Sequence, residues 1–551
     1  MVRLNHLLFV LCLFILGACS SRMKDEAKLL REYYGAGELE KAEEVLNKSE
    51  LKKDAKSQLL WHLERGTLSL AKGDEAAAIL EFQTSLELID QLYTKKISAK
   101  AASFLVNDAT DVFYGASYER SFAHYFLSKA YYARYLKTKN KQDLQSARAT
   151  ILAWDSYFAE LQRSAAPKTI YQTDLMLKVF GGEIHEISEI RNDKQISLQL
   201  YKDALKILKT MGGAFGVYNS ASKDYIKSYE NALVSGSGPD EKSYVKTVAQ
   251  KDLHDFLVFK ILSLTKEIRS GELKELTQSL KPTEEILKKL NQQQTNVVIL
   301  IEEGLIPQKV GKPFNFGIKG AVDAVENPGA KAFIATVGAE IVTAFAMNTL
   351  GMRPQNFQTT GSFIFAHDVT RLAVQEAAIS FELPMIEETP IPLDLDLVVM
   401  DKEGKVLKQE PLAIVSENGA LARVVLEEDV VSHYVKTGTR VAMKHLVAIV
   451  AAMQIYQKLR PQGEFLAKSV AMASYIASSK GIAAFEKADT RHWMTLPQLF
   501  RISELSLPKG EYQVAVATRS AKSDEQKLKK LGVVRVEESG KSIHHLKFIN
   551  L

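Results

Sequence analysis

The sequence predicts a two-part α+β protein. A helical-repeat domain is expected over residues 19–290, and a mixed α/β domain with a mainly antiparallel sheet over 295–551. Three observations carry that expectation. From residue 23 to about 290, apolar residues recur at helical spacing among Lys, Glu, Gln and Ala, and Pro167, Pro239 and Pro282 are the only prolines. Near residue 295 the texture changes to short β-branched runs bounded by turn residues. Those runs are irregularly spaced and broken by two helical stretches, which argues against a doubly wound parallel sheet.

Residues 1–18 read as an export signal. Arg3 precedes an apolar run from Leu7 to Leu16, and Leu16-Gly17-Ala18 leads into Cys19. The stretch from Leu7 to Ala18 is too short for a transmembrane helix, which needs about 20 apolar residues. The Leu-Gly-Ala-Cys ending resembles the lipobox of bacterial lipoproteins. That resemblance implies cleavage before Cys19 and acylation of its thiol and amino group. Buried methylenes contribute about 0.8 kcal/mol each, and stable anchoring takes more than one chain. Ser20 follows the cysteine; in a Gram-negative host it implies forwarding to the outer membrane, facing the periplasm.

The composition is that of an ordinary globular chain, with 46% hydrophobic and 25% charged residues. The two cysteines are Cys12, inside the signal, and Cys19. Disulfides, redox pairs and thiolate metal sites are therefore excluded from the mature chain. The formal charge of +5 is spread among acids rather than gathered into a basic stripe, so no nucleic-acid partner is expected.

The helical half carries a weak repeat. Gly37-Glu38-Leu39-Glu40-Lys41-Ala42 aligns with Gly73-Asp74-Glu75-Ala76-Ala77-Ala78, and Leu46 and Phe82 then hold equivalent places. Gly66 lies upstream in the helix before the second unit. The pattern resembles the tetratricopeptide repeat, whose period is about 34 residues. In that resemblance Gly37 and Gly73 make the turns, Ala42 and Ala78 begin the packing face, Gly66 admits the second helix and Phe82 fills the contact. The Trp and Pro signals of the repeat are missing, and a generic helical bundle is the alternative. Further helix pairs are expected around 123–152 and 199–211.

In the second half, Asn296-Val297-Val298-Ile299-Leu300-Ile301 reads as a strand, followed by a turn at Glu302-Glu303-Gly304. More strands are expected at 378–383, 393–400, 405–407, 512–517, 533–536 and 544–549, with helices over 430–459 and 463–479. The apolar stretches 332–350 and 446–455 read as core helices; Glu340 interrupts the first, and the second is short and flanked by Lys444 and Lys458.

The most distinctive segment is Ala488-Asp489-Thr490-Arg491-His492-Trp493-Met494-Thr495-Leu496-Pro497, followed by Leu507-Pro508-Lys509-Gly510-Glu511-Tyr512. Together with Leu63-Glu64-Arg65-Gly66, with Tyr114-Gly115-Ala116-Ser117-Tyr118-Glu119-Arg120 and with Ile301 to Lys309, it resembles a family of uncharacterised bacterial lipoproteins with tetratricopeptide-like N-terminal helices. Arg440 and Lys444 also fall where that family carries an Arg and a Lys. The resemblance implies an envelope lipoprotein and brings no reaction with it. Read from the residues, Asp489, Arg491 and Trp493 are either exposed binding anchors or an internal tether with a buried Trp, and the tether is the simpler reading.

No catalytic residue, metal ligand or cofactor site emerges. His544 and His545 are adjacent in an expected strand, so they point to opposite faces and cannot chelate together. No His-Glu-x-x-His or Gly-x-Ser-x-Gly pattern is present, and adjacent His367-Asp368 lack triad geometry. Gly236-Ser237-Gly238-Pro239 lacks the ending of a phosphate loop. Glu302-Glu303 and Glu387-Glu388 read as solvated turn charges. The tyrosines at 33, 34, 114, 118, 125, 131 and 132 are expected mainly in the core, with some lining a concave helical face. The expected function is binding of an envelope protein as a scaffold or assembly partner, on a lipid anchor. The alternative is a periplasmic cell-wall hydrolase or glycan-binding protein.

Overall fold

A computed structural model describes residues 23–99, 111–163, 171, 173–188, 190–209, 251–291, 295–316, 379–387, 394–428, 430–518, 528–538 and 540–548. The signal, Cys19, the loops at 212–216 and 236–240, the stretch 332–350, His367-Asp368 and Glu388 lie outside these residues.

The first half is helical. Helix α1 covers 23–35; then come α2 (Leu39–Lys48), α3 (Glu50–Lys53), α4 (Gln58–Ala71), α5 (Glu75–Ala99), α6 (Ser117–Thr138), α7 (Lys141–Arg163), α8 (Leu175–Glu186), α9 (Arg191–Lys209), α10 (Lys251–Ile268), α11 (Leu273–Leu280) and α12 (Glu284–Asn291). From α4 to α10 each helix packs on the next. The turns after α1 and α4 are the same turn. Gly37 and Gly73 have φ of 77° and 76°. Glu38 N–H donates to Tyr33 O and Asp74 N–H to Ser69 O, both at 2.9 Å. This is the left-handed helix stop that glycine makes cheaply. Ala42, Ala78 and Phe82 are fully buried. A Cβ on Gly66 would stand 2.8 Å from the Phe82 ring, so α4 and α5 close to a distance only glycine permits.

The second half holds β1 (Val297–Glu303), β2 (Lys309–Phe316), β3 (Ile379–Ile386), β4 (Leu395–Met400), β5 (Val406–Pro411), β6 (Ala413–Glu417), β7 (Leu499–Leu505), β8 (Gly510–Thr518), β9 (Lys529–Val536) and β10 (Ser542–Phe548). Helices α13 (Asn418–Glu428), α14 (Val430–Leu459) and α15 (Glu464–Phe485) interrupt them. One sheet has the order β10-β1-β7-β6, a second β5-β4-β8-β9, and β2-β3 form a ribbon. Only the β1–β10 pair is parallel among the described ladders. Strands β2, β6 and β7 lie beyond the expected set; Pro313 in β2 and the charges in β7 masked their alternation.

The first sheet is a middle layer. Val297, Ile299 and Ile301 pack on Leu397 and Val399 of β4 and on Val514 and Val516 of β8. The alternate residues Val298 and Leu300, with Phe500, Ile502 and Ile543, join the core of the helical half. Burial on both faces makes β1 a continuous apolar run rather than an alternating one. One buried cluster therefore crosses the helix-to-strand change at 291–297.

The expected turn at Glu302-Glu303 is corrected. Both residues continue β1 and are buried. Glu302 faces the helices and accepts from Tyr125 Oη at 2.9 Å and Lys129 Nζ at 2.5 Å. Glu303 pairs with the buried Arg501. Two acids after an apolar run looked like a turn, but their partners come from distant elements.

Candidate functional site

The segments singled out from sequence converge at the junction of the two halves. Residues 486–498 run along α4 and α6 as an extended stretch. Glu64, on α4, accepts from Met494 N–H and from Thr495 Oγ1, both at 2.6 Å. Glu119, in the first turn of α6, accepts Ala116 N–H with one oxygen and Trp493 N–H with the other, each at 2.6 Å. The Trp493 indole N–H donates to Thr67 Oγ1 at 3.0 Å, and its ring sits 5.1 Å from Phe126 and 6.1 Å from Phe82. Trp493 is fully buried. Arg491 grips Asp489 through two oxygens, at 2.9 and 2.8 Å, and reaches Ser57 Oγ and Asp111 O. The Asp489-Arg491-Trp493 set is thus an internal tether in this structure. The helical face it covers is occupied by the chain's own backbone.

Burial sets the electrostatics of this tether. It pushes the Glu64 carboxyl up to about 7 against the pull of its hydrogen-bond donors, and it raises Glu119 as well. It lowers His492 to about 4. Arg440 and Lys444 are brought together on a single carboxylate, Glu486: Arg440 donates to Oε2 at 3.1 and 3.0 Å, and Lys444 takes Oε1.

Two further polar groupings escaped sequence reading. Lys260 and Lys541 lie among Glu183, Glu186 and Glu504, with Lys541 2.8 Å from Glu183 and from Glu504. These residues come from α8, α10, β7 and the approach to β10, and no spacing signal links them. The cluster is buried and joins the layers.

The second grouping lines a cleft of about 690 Å³ between α1, α4 and α6 on one side and β9 and β10 on the other. Pairing with β1 puts Ile543, His545 and Lys547 on the face of β10 that meets the helices. Ile543 N–H donates to Tyr132 Oη at 2.9 Å. His545 packs among Tyr125, Tyr132 and Phe180. Lys547 Nζ stands 3.3 Å from the centroid of the Tyr34 ring. Burial lowers the Lys547 amine to about 7; Glu302 opposes that shift and Lys129 adds to it. Such a lysine changes charge near neutral pH. No group of three or more metal-binding side chains exists among the described residues.

A third feature is the α14–α15 hairpin. Its helices share a small core of Ala448, Ala452, Tyr456, Ala467, Ala471 and Tyr475. The outer flank exposes Phe465 (86%), Leu466 (48%), Val470 (39%) and Ile476 (39%), with Val447 on α14 exposed as well. No described helix is long and apolar enough to cross a membrane.

No family model, curated protein or solved structure matches the chain.

Proposed function

We propose that the protein is a lipid-anchored envelope lipoprotein, held on the outer membrane and facing the periplasm, that binds another envelope protein as a scaffold or assembly partner. The anchor reading rests on the Leu16-Gly17-Ala18-Cys19 sequence. The observation that carries the binding reading is the apolar stripe of α15. Exposed apolar side chains at 465, 466, 470 and 476 follow one helix flank, the pattern of an interaction surface. The helical face that would otherwise grip a peptide is filled by residues 489–498. A partner is therefore expected on the hairpin.

The repeated glycine turn and the Gly66–Phe82 contact support stacked helical hairpins of the tetratricopeptide kind in the first half. The resemblance to tetratricopeptide-bearing lipoproteins belongs to the same proposal.

A photoreactive amino acid at position 470, in the membrane-bound protein, tests the binding reading. One or two envelope proteins should crosslink there, and Leu466→Glu should abolish the product. Crosslinks that survive Leu466→Glu, or none at all, sink the hairpin as the binding surface. A second reading, as a glycan binder or cell-wall hydrolase, draws on the polar cleft at Lys547. It gains if glycan fragments co-purify in place of a protein.

A further inference from the structure

The cleft beside β10 sets two cations, Lys129 and Lys547, around one carboxylate, Glu302. Its other ions are paired: Lys129 with Glu302 at 2.5 Å, and Lys137 with Glu75 at 2.7 Å and with Gly73 O at 2.8 Å. Lys547 Nζ rests on the Tyr34 ring and meets no acceptor oxygen within hydrogen-bond distance among the described residues. A cation taken partly out of water, whose one nearby carboxylate is already held by another lysine, is under-compensated, and a ligand that supplies a second anion relieves it.

The neighbouring His545 adds no charge to the cleft. Tyr125 has one hydroxyl hydrogen, and it goes to Glu302. The Tyr125 oxygen is therefore free to accept, and His545 Nδ1–H points to it at 3.5 Å. That tautomer leaves Nε2 as a bare acceptor. Nε2 is buried and has no hydrogen-bond partner among the described residues. Burial and Lys129 hold the ring well below the usual histidine range, so it stays neutral.

We propose that this cleft binds a small oxyanion, a carboxylate or a phosphate, with the anion on Lys547. Leu70, Phe126 and Leu136 supply the apolar wall. The volume falls in the usual range for small-molecule sites, about 300–1,000 Å³. The site is separate from the α15 stripe and does not depend on it.

Binding requires protonated Lys547. The charged and titratable groups facing it are Tyr34 from α1, Glu75 from α5, Tyr125, Lys129 and Lys137 from α6, Glu302 from β1, and His544 and His545 on its own strand. Of these, Lys129 and Glu302 act on it directly and oppositely, so Lys547 itself titrates across neutrality. Calorimetry on the full chain in detergent tests the site, with sodium lactate and glycerol 3-phosphate as probes. At least one probe should bind saturably and weaken about tenfold from pH 6 to pH 8 as Lys547 loses its proton. Lactate alone would identify a carboxylate ligand, and glycerol 3-phosphate alone a phosphate. Lys547→Met should abolish binding, and Lys547→Arg, always charged, should keep it at pH 8. No saturable binding of either probe overturns the proposal. So does binding that survives Lys547→Met, or binding that does not weaken between pH 6 and pH 8. If Lys547→Met does not fold, Lys547→Arg and the wild-type pH dependence decide the matter.

Discussion

The backbone N–H of Trp493 donates to Glu119 Oε1 at 2.6 Å, joining residues 374 positions apart. The other oxygen of that carboxylate takes the Ala116 N–H. One side chain thus caps α6 and holds the extended segment that seals the two halves together. Removing the indole would leave a cavity among Phe82, Phe126 and Thr67. Trp493→Ala is expected to cost about 3–5 kcal/mol, read as a lower urea midpoint. Protease sensitivity within 486–498 should appear alongside it. A near-neutral result would show that the segment is not gripped.

Glu64 gives a pH signature. Its carboxyl is raised to about 7, chiefly by burial, whereas an unfolded Glu titrates near 4.5. The folded state therefore holds the proton more tightly, and this group's contribution is lost as pH rises from 4.5 through 7. Relative to Glu64→Gln, the wild type should lose on the order of 3 kcal/mol across that window. His124, His445 and His492 shift the other way, to about 4. They are common to both proteins and cancel in the difference. Urea melts of the pair at several pH values measure it, and a flat difference would contradict the buried carboxyl.

The α4–α5 contact is set by the absence of one carbon. Gly66→Ala places a Cβ 2.8 Å from the Phe82 ring and is expected to destabilise by about 1–3 kcal/mol. Phe82→Leu on that background should recover part of the loss. A double-mutant cycle on thermal melts reads the coupling, and additive effects would show that the helices do not meet there.

Glu486 neutralises Arg440, which is 1% exposed, and Lys444 beside it. Glu486→Ala removes this carboxylate from a buried guanidinium. The expected cost is about 3–5 kcal/mol in chemical denaturation. Glu486→Asp should fall between the two if charge rather than reach dominates.

Cys19→Ala tests the proposed acylation site. The protein should move from the membrane fraction to the soluble periplasmic fraction, as checked by fractionation and immunoblotting. Retention in membranes would refute the lipid anchor.

Local pattern in the sequence carried the α+β class, the switch near residue 295, β1 and β8, the helices of the hairpin, and the glycine turns at 37 and 73. Each depends on neighbours within a few positions: helical spacing, a β-branched run, or glycine at a left-handed stop. The lipobox-like ending at Cys19 is legible for the same reason. What needed the tertiary structure was every partnership across long separations. Glu302 and Glu303 looked like a polar turn until Lys129, Tyr125 and Arg501 arrived from other elements. Lys547 reads as one lysine among many. Only the alternation of β10 and its parallel pairing with β1 turn it inward, onto the Tyr34 ring and opposite Glu302, whose carboxylate Lys129 already holds. Burial and charge compensation are properties of what surrounds a side chain, and in this fold the surroundings come from the far end of the chain.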